Sequence, residues 1–236
     1  MNFEVGLGES GWDGGGALRA ALGRTAEGLG LAPPEPDRQC GRLAQYVDAG
    51  SGRRVVVYPP GERCPTFRMH LQDNGTPLAG GRTADLAEAV RATTAWTSGG
   101  GLEETRARAP FIEFRPWALA HEREPFDAVE LTWHIKLDRV HMPLHDGRTR
   151  PHALLTAAYA QPVLRRLMPV NSHFNLWFST SAEQPRKARV GYGIRPYDEG
   201  LYGVRNRGEL VARTETPEEA VAILVAVLPK GIRTAS

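Results

Sequence analysis

The alternation of apolar and polar side chains in the first half of the chain predicts a helix, three strands and a second helix. Leu18, Leu22 and Leu29 recur at roughly helical spacing before a proline-rich stop. From Phe67 to Gln72 apolar and polar residues alternate, which is typical of a half-buried strand. The predicted strands are Arg42–Asp48, Arg53–Tyr58 and Thr66–Gln72, and a second helix, capped by Thr83, runs to about Thr97.

The second half shows a similar order with additional helices in front of the strands. A helix is predicted over Phe126–Val140, and another over His152–Leu167, interrupted or kinked at Pro162. Thr216 and Pro217 mark the cap and first position of a last helix. The strands of a predicted antiparallel meander are Ser172–Thr180, Ala188–Arg195, Gly200–Arg205 and Gly208–Arg213.

One short similarity links the two halves. Arg82-Thr83 is followed by Glu88-Ala89-Val90, and Arg213-Thr214 by Glu219-Ala220-Val221 at the same spacing. Five matched positions also arise by chance in an alanine-rich chain, so duplication is a hypothesis. The predicted fold is α+β, with two helix–antiparallel meander–helix units and extra helices between them. A glycine-rich boundary after Trp96 divides the chain into halves 1–98 and 102–236, which pack separately or as one compact domain.

Composition narrows the class of protein. The 236 residues carry a formal net charge of +2 without a lysine or arginine block, which speaks against a nucleic-acid partner. No apolar run approaches the roughly 20 residues of a membrane helix. Cys40 and Cys64 fit neither a disulfide framework nor a metal pair. Without a recognisable signal peptide, the expectation is a cytoplasmic protein.

The strand pattern after Ser172 predicts one polar sheet face with binding potential. Period-two alternation places Phe174, Leu176 and Phe178 inward, and it places Val190, Tyr192 and Ile194 of the next strand inward. The outward residues are His173, Asn175, Trp177 and Ser179, followed by Arg189, Gly191, Gly193 and Arg195. Imidazole, amide, indole and guanidinium groups around small glycines suit an anionic or planar ligand. The alternative is a solvated sheet face whose polar residues only satisfy themselves.

The helices offer further candidate residues. His134, Asp138, His141 and His145 have helical spacing and ligand chemistry suited to zinc or iron, but Pro143 is expected to end the helix before His145. Whether this row binds metal is left open, and a charged surface helix is the alternative. Tyr159 and Arg166 are seven residues apart and could reach a common groove, although Tyr159 also suits the edge of a core.

The glycine-rich N-terminus contains a formal dinucleotide-binding pattern, Gly6-x-Gly8-x-x-Gly11. That motif requires a buried strand before it and a helix opening at the third glycine, and neither is visible. No cofactor is therefore predicted.

A resemblance adds to this picture. The chain has a helix bearing Trp133, the pattern Leu-Leu-x-x-Ala-x-x-x-Pro-x-Leu-Arg from Leu154, a Pro–Ser-His turn, an aromatic Phe-Ser strand, and Gly200-x-Tyr-x-Val. This order resembles an actinobacterial family catalogued as domain of unknown function 6193, whose members are often labelled natural-product biosynthesis proteins. The resemblance covers roughly Trp96 to Val204. It implies a biosynthetic setting and supplies no reaction.

Three functional hypotheses follow, and whether the chain is an enzyme is left open. The first is an accessory protein that binds a peptide or small-molecule intermediate on the outward face of the C-terminal sheet, through His173, Asn175, Trp177, Arg189 and Arg195. The second is a pathway enzyme with His173 or His134 as acid–base groups, or with metal-assisted chemistry. The third is a non-catalytic partner-binding module, such as an immunity protein or secretion-type chaperone. A homodimer is left open as well.

Overall fold

The computed structural model describes residues 15–37, 42–62, 64–138, 149–172, 174–197, 200–232 and 235. Within these ranges the chain forms eight helices and two five-stranded antiparallel sheets, which confirms the predicted α+β class. Two compact units divide the chain, Met1–Arg123 and Glu124–Ser236. None of the helices in these ranges combines the length and hydropathy that a membrane crossing requires.

The first unit is a five-stranded sheet with helices. Its elements are α1 (Gly15–Gly28), β1 (Ala44–Val47), β2 (Arg53–Tyr58), β3 (Phe67–Asp73), β4 (Thr76–Thr83), α2 (Leu86–Thr97), α3 (Leu102–Arg108), β5 (Ile112–Phe114) and α4 (Ala118–Arg123). The strands pair in the order β1-β2-β3-β4-β5. The alternation that predicted β3 is confirmed, because Phe67, Met69 and Leu71 are buried. Sequence patterns did not predict β4 or β5.

Trp96 anchors α2 against this sheet. Its side chain is fully buried, and its Nε1 donates a hydrogen bond of 3.0 Å to the carbonyl oxygen of Gln72. The guanidinium of Arg53 lies 4.5 Å from the Trp96 ring centre and donates to the carbonyl of Gly100. The glycine run that the sequence suggested as a boundary lies inside the first unit, between α2 and α3, because the first unit extends to Arg123. It is packed there, since a Cβ on Gly100 would lie 2.7 Å from the Ala95 carbonyl oxygen.

The second unit places its helices on one face of a meander. Its elements are α5 (Ala128–Leu137), α6 (Thr149–Tyr159), α7 (Pro162–Arg165), β6 (Met168–Ser172), β7 (Asn175–Ser179), β8 (Arg189–Pro196), β9 (Tyr202–Asn206), β10 (Glu209–Thr214) and α8 (Pro217–Ala226). The strands pair in the order β10-β9-β8-β7-β6. The buried core includes Trp133, Leu155, Phe178, Val204 and Val221. The interruption predicted at Pro162 is present, because α6 ends at Tyr159 and α7 begins at Pro162.

The two similar sequence segments form similar strand-to-helix joints. Thr83 ends β4 and α2 begins three residues later, while Thr214 ends β10 and α8 begins three residues later. Asp85 and Thr216, each two residues beyond the strand, are the helix caps. The following Ala-Val pairs, Ala89-Val90 and Ala220-Val221, are buried. The prediction that Thr83 itself caps α2 is wrong, because Asp85 accepts the capping bond from the Ala87 amide at 2.7 Å.

Two bulges interrupt the C-terminal sheet. In β10, Leu210 pairs with Arg205 and Ala212 with Val204, so Val211 is an extra residue. In β8, Ile194 pairs with Leu176 and Val190 with Phe178, so Gly191, Tyr192 and Gly193 lie opposite Trp177. This second irregularity shapes the surface beside Trp177.

Candidate functional site

A cleft of about 400 Å³ opens on the C-terminal sheet, on the side opposite its helices. Its lining comes from the end of β6, from β7, from the loop between β7 and β8, and from β8. The lining residues are Ser172, Asn175, Trp177, Arg186, Arg189 and Arg195.

A tight hairpin places the first two of these residues. Ser172 of β6 pairs directly with Asn175 of β7, which leaves a two-residue turn between them. Phe174 occupies the second turn position with φ of 65°, and its side chain is 56% exposed. The prediction that Phe174 belongs to the buried strand face is therefore wrong, because the turn takes it out of the strand alternation. Leu176 and Phe178 are buried as predicted.

The loop from β7 to β8 is tied down by Ser179. The Ser179 side chain is fully buried, and its hydroxyl lies within donor distance of the carbonyl oxygens of Ser181 (3.0 Å) and Ala188 (3.1 Å). The Ser181 amide in turn donates to the Ser179 hydroxyl oxygen at 3.0 Å. These bonds close the base of the loop and bring Arg186 to the rim of the cleft. Ser179 was predicted to face outward with the ligand-binding row, and its role here is to hold the loop.

Glycine in the β8 bulge makes room for an arginine over the indole. A Cβ on Gly193 would lie 2.9 Å from Arg189 Nη2 and 3.7 Å from Trp177 Cβ. The Arg189 guanidinium carbon lies 5.3 Å from the Trp177 ring centre, which is cation–π range. Trp177 is consequently only 7% exposed although it belongs to the outward face. Gly191 does not share this outward position, since a Cβ on it would meet Leu228 Cδ2 at 2.9 Å.

Positive charge dominates the cleft. Arg186, Arg189 and Arg195 are exposed, and none of them has an ion pair or hydrogen bond with another described residue. Burial lowers the pKa of Arg189 from its ordinary value, and the nearby positive charge of Arg207 lowers it further. No carboxylate belongs to the described lining. A ligand with negative charge would therefore stabilise the charged form of Arg189 against its burial and against the positive charge of Arg207.

Asn175 adds a polar group without a partner. Its Oδ1 is buried and accepts no hydrogen bond from any described residue. An unsatisfied buried acceptor costs roughly 1–3 kcal/mol, and a ligand that offers an N–H or O–H donor would recover it.

Four of the predicted ligand-binding residues thus meet in one cleft: Asn175, Trp177, Arg189 and Arg195. Period-two alternation was sufficient to place them on a common face. Sequence reasoning missed Ser172 and Arg186. Ser172 was assigned to the strand without a role, and Arg186 lies in a loop without periodicity. His173, the leading catalytic candidate, lies outside the described residues.

His134 lies on α5 and does not line the cleft. Its ring stacks on Phe126 with centres 4.7 Å apart, and its Nε2 is 3.9 Å from the Glu130 carboxylate. Helix α5 ends at Leu137, and the C-cap Asp138 has extended backbone, so the helix is shorter than the predicted Phe126–Val140. The helical row from His134 therefore stops at Asp138. His141 and His145 lie outside the described residues, among which no metal-binding group of three His, Cys, Asp or Glu side chains occurs.

Tyr159 and Arg166 do not share a helix or line the cleft. Tyr159 ends α6, whereas Arg166 is the C-cap of α7 beyond the break at Pro162. The Tyr159 ring lies 5.3 Å from that of Trp133, with the Arg165 guanidinium 5.5 Å from its centre. This position at the core edge matches the alternative interpretation of Tyr159. The continuous helix on which the sequence placed both residues is interrupted, and their common groove stays a prediction.

Comparison with known proteins gives one match. No curated protein and no solved structure matches the chain. One family model matches the C-terminal part of the chain. The matched region starts within the second unit and includes the whole C-terminal sheet, but it omits the segment from Trp96 to Phe126 that the sequence resemblance included. Residues 127–236, slightly less than half of the chain, are similar to a family of unknown function (DUF6193).

Proposed function

We propose that the chain is an accessory protein that binds an anionic intermediate of a biosynthetic pathway in the cleft of the C-terminal sheet. The observation that carries the proposal is the cluster of three arginine side chains around Trp177 without a carboxylate in the described lining. Guanidinium groups recognise carboxylates and phosphates through paired, charge-assisted hydrogen bonds. The natural-product setting of the pathway rests on the family resemblance alone.

The floor of the cleft supports the same assignment. Trp177 provides an apolar surface that is covered by Arg189 and therefore partly desolvated. Electrostatic attraction strengthens as water is displaced, so a carboxylate beside this apolar surface gains more from the partly desolvated Arg189 than from a fully solvated arginine. Asn175 Oδ1 supplies an acceptor for a ligand donor. The cleft thus fits a ligand that carries negative charge and at least one N–H or O–H group.

The enzyme hypothesis receives less support from the described cleft. Its lining residues include no histidine, carboxyl or thiol group that could transfer a proton near neutral pH. The test of this alternative is the loss of a reaction in His173→Gln, since His173 directly follows the lining residue Ser172 in the sequence.

The proposal is tested with a carboxylate probe and its neutral analogue. Propane-1,2,3-tricarboxylate offers three carboxylates for the three guanidinium groups, whereas its triamide has a similar shape and no charge. At constant ionic strength, we expect the tricarboxylate to raise Tm and to change tryptophan fluorescence, and the triamide to do neither. Arg189→Gln should weaken binding by about tenfold or more, as expected for loss of one charge-assisted hydrogen-bonded contact.

Arg165→Gln is the matched control. Arg165 also lies over an aromatic ring, that of Tyr159, but outside the cleft. The Arg165→Gln variant should bind the tricarboxylate with the same affinity as the unmodified protein. Trp177→Phe should keep binding while losing most of the fluorescence change. Equal binding of tricarboxylate and triamide, or an Arg189→Gln variant that binds normally, would overturn the proposal.

A further inference from the structure

The arginine side chains of the cleft continue across the sheet. In β8, Arg195 pairs with Gly203 of β9, and Gly203 pairs with Arg213 of β10. Directly paired residues of neighbouring strands share a sheet face, so Arg195 and Arg213 flank Gly203 on the outward side. Strands are about 4.8 Å apart, which places the backbones of the two arginines about 10 Å apart.

Tyr197 fills the space above Gly203. A Cβ on Gly203 would lie 2.7 Å from the Tyr197 hydroxyl oxygen, so only glycine permits this arrangement. Arg205 donates to the same oxygen from Nε at 3.2 Å and from Nη2 at 2.7 Å. The Arg205 and Arg213 guanidinium carbons both lie 5.9 Å from the Tyr197 ring centre. The second aromatic residue is therefore surrounded by arginines, as Trp177 is covered by Arg189.

In the part of this face that the structure describes, acidic side chains of the strands do not balance these charges. Strands β8, β9 and β10 contain four arginines and one carboxylate, Glu209. Glu209 pairs with Asn206, which is adjacent to the outward Arg205 and so belongs to the other face. Within the described strand residues, the outward face thus carries positive charge from the cleft to the edge strand β10 that no strand carboxylate compensates.

We infer that this surface, the arginine face formed by Arg189, Arg195, Arg205 and Arg213, binds an acidic peptide segment in extended conformation. The inference rests on the proposed function and extends it by naming the ligand class. An extended chain advances about 3.3 Å per residue, so four to six residues reach from the cleft to β10. Acidic side chains along such a segment would meet successive guanidinium groups.

The groups on this face favour a peptide over a nucleic acid. Single-stranded nucleic acids bind through bases stacked on free aromatic rings. Here Trp177 is only 7% exposed, with the Arg189 guanidinium over its ring, and the Tyr197 hydroxyl accepts hydrogen bonds from Arg205. A peptide backbone also offers N–H donors for the unpaired Asn175 Oδ1, which a phosphodiester backbone does not.

The test compares fluorescently labelled peptides by anisotropy at fixed salt. The probes are hexaglutamate, diglutamate and hexaglutamine, with hexathymidylate as the nucleic-acid probe. We expect the affinity for hexaglutamate to be about tenfold higher than that for diglutamate, or more, and we expect hexaglutamine not to bind. Arg213→Gln should weaken hexaglutamate binding by about three- to tenfold and leave binding of the tricarboxylate unchanged. Arg189→Gln should weaken both.

Arg213 is the preferred site of substitution, because Arg205 also holds Tyr197 and its loss changes the surface itself. Arg165→Gln again serves as the control for the loss of one positive charge. If the tricarboxylate binds through Arg189 but hexaglutamate binds no more tightly than diglutamate, the extended peptide assignment is wrong and the proposed function stands. If neither ligand depends on Arg189, both are wrong. Hexathymidylate that binds more tightly than hexaglutamate through the same arginines would overturn the peptide assignment.

Discussion

The guanidinium carbon of Arg189 lies 5.3 Å from the centre of the Trp177 indole ring, in a space that Gly193 leaves free. Gly193→Ala tests this relationship directly. The added Cβ would lie 2.9 Å from Arg189 Nη2, the end of a flexible side chain that can move away. We expect several-fold weaker binding of the tricarboxylate, with a free energy of unfolding within about 0.5 kcal/mol of the unmodified protein.

The neighbouring glycine provides the comparison. Gly191 has φ of 62°, and a Cβ there would meet Leu228 Cδ2 at 2.9 Å. Gly191→Ala should lower the free energy of unfolding by about 1–2 kcal/mol because of the left-handed backbone. Urea unfolding and calorimetric titration separate the two effects. Normal ligand affinity in Gly193→Ala would show that the position of Arg189 over the indole does not matter for binding.

The helix caps at the two strand-to-helix joints should make similar contributions to the free energy of unfolding. Asp85 accepts from the Ala87 amide at 2.7 Å, and Thr216 accepts from the Glu219 amide at 3.2 Å. Asp85→Ala and Thr216→Ala should each lower the free energy of unfolding by about 1 kcal/mol, as measured by urea denaturation with circular dichroism. Asp85→Asn and Thr216→Ser keep an acceptor oxygen and should restore most of this loss. Alanine variants as stable as the unmodified protein would contradict the assigned caps.

The environment of His70 predicts that the free energy of unfolding depends on pH. Burial lowers its pKa from the ordinary 6.5, and the positive charges of Arg68 and Arg115 lower it further. The Tyr58 ring, 5.1 Å away, also faces it. The unfolded chain therefore binds a proton more readily than the folded chain. The stability that neutral His70 contributes is fully present at pH values above its pKa in the unfolded chain. It is lost as the pH falls from about 7.5 toward the lower pKa of the folded chain.

The measurement is the difference in free energy of unfolding between the unmodified protein and His70→Gln across this pH range. Subtraction removes the titration of all other groups. We expect the difference to favour histidine more at neutral than at acid pH, and Arg68→Gln to reduce the pH dependence by removing one of the two charges. A difference that does not change with pH would mean that His70 has the same pKa in both states.

Much of the fold could be predicted where periodicity is regular. The alternation at Phe67, Met69 and Leu71 and the start signal at Thr216-Pro217 both appear in the structure as expected. Strand β4 was missed because Gly80 and Gly81 interrupt its pattern, and glycine is unfavourable in strands unless the backbone approaches closely. Gly81 does so here, since a Cβ on it would lie 2.7 Å from the Phe111 ring.

The residues of the candidate site were also predictable only where the periodicity is regular. Trp177 and Arg195 follow from period-two alternation, whereas three features of the site depend on tertiary structure. Phe174 leaves its strand because the hairpin turn is two residues long, and Gly191 changes face because β8 contains a bulge. Arg186 reaches the cleft only because Ser179 fixes a loop of irregular conformation. None of these has a period that a sequence pattern could reveal.

The extra residue Val211 in the edge strand β10 has a consequence for how copies of the protein behave in concentrated solution. Leu210 and Val211 are exposed there, and a straight strand with such residues would be a ready template for cross-β growth. The bulge puts the ladder out of step at this point. An approaching strand would lose register past this residue, so the bulge disfavours fibril growth from β10 even though Leu210 and Val211 are exposed.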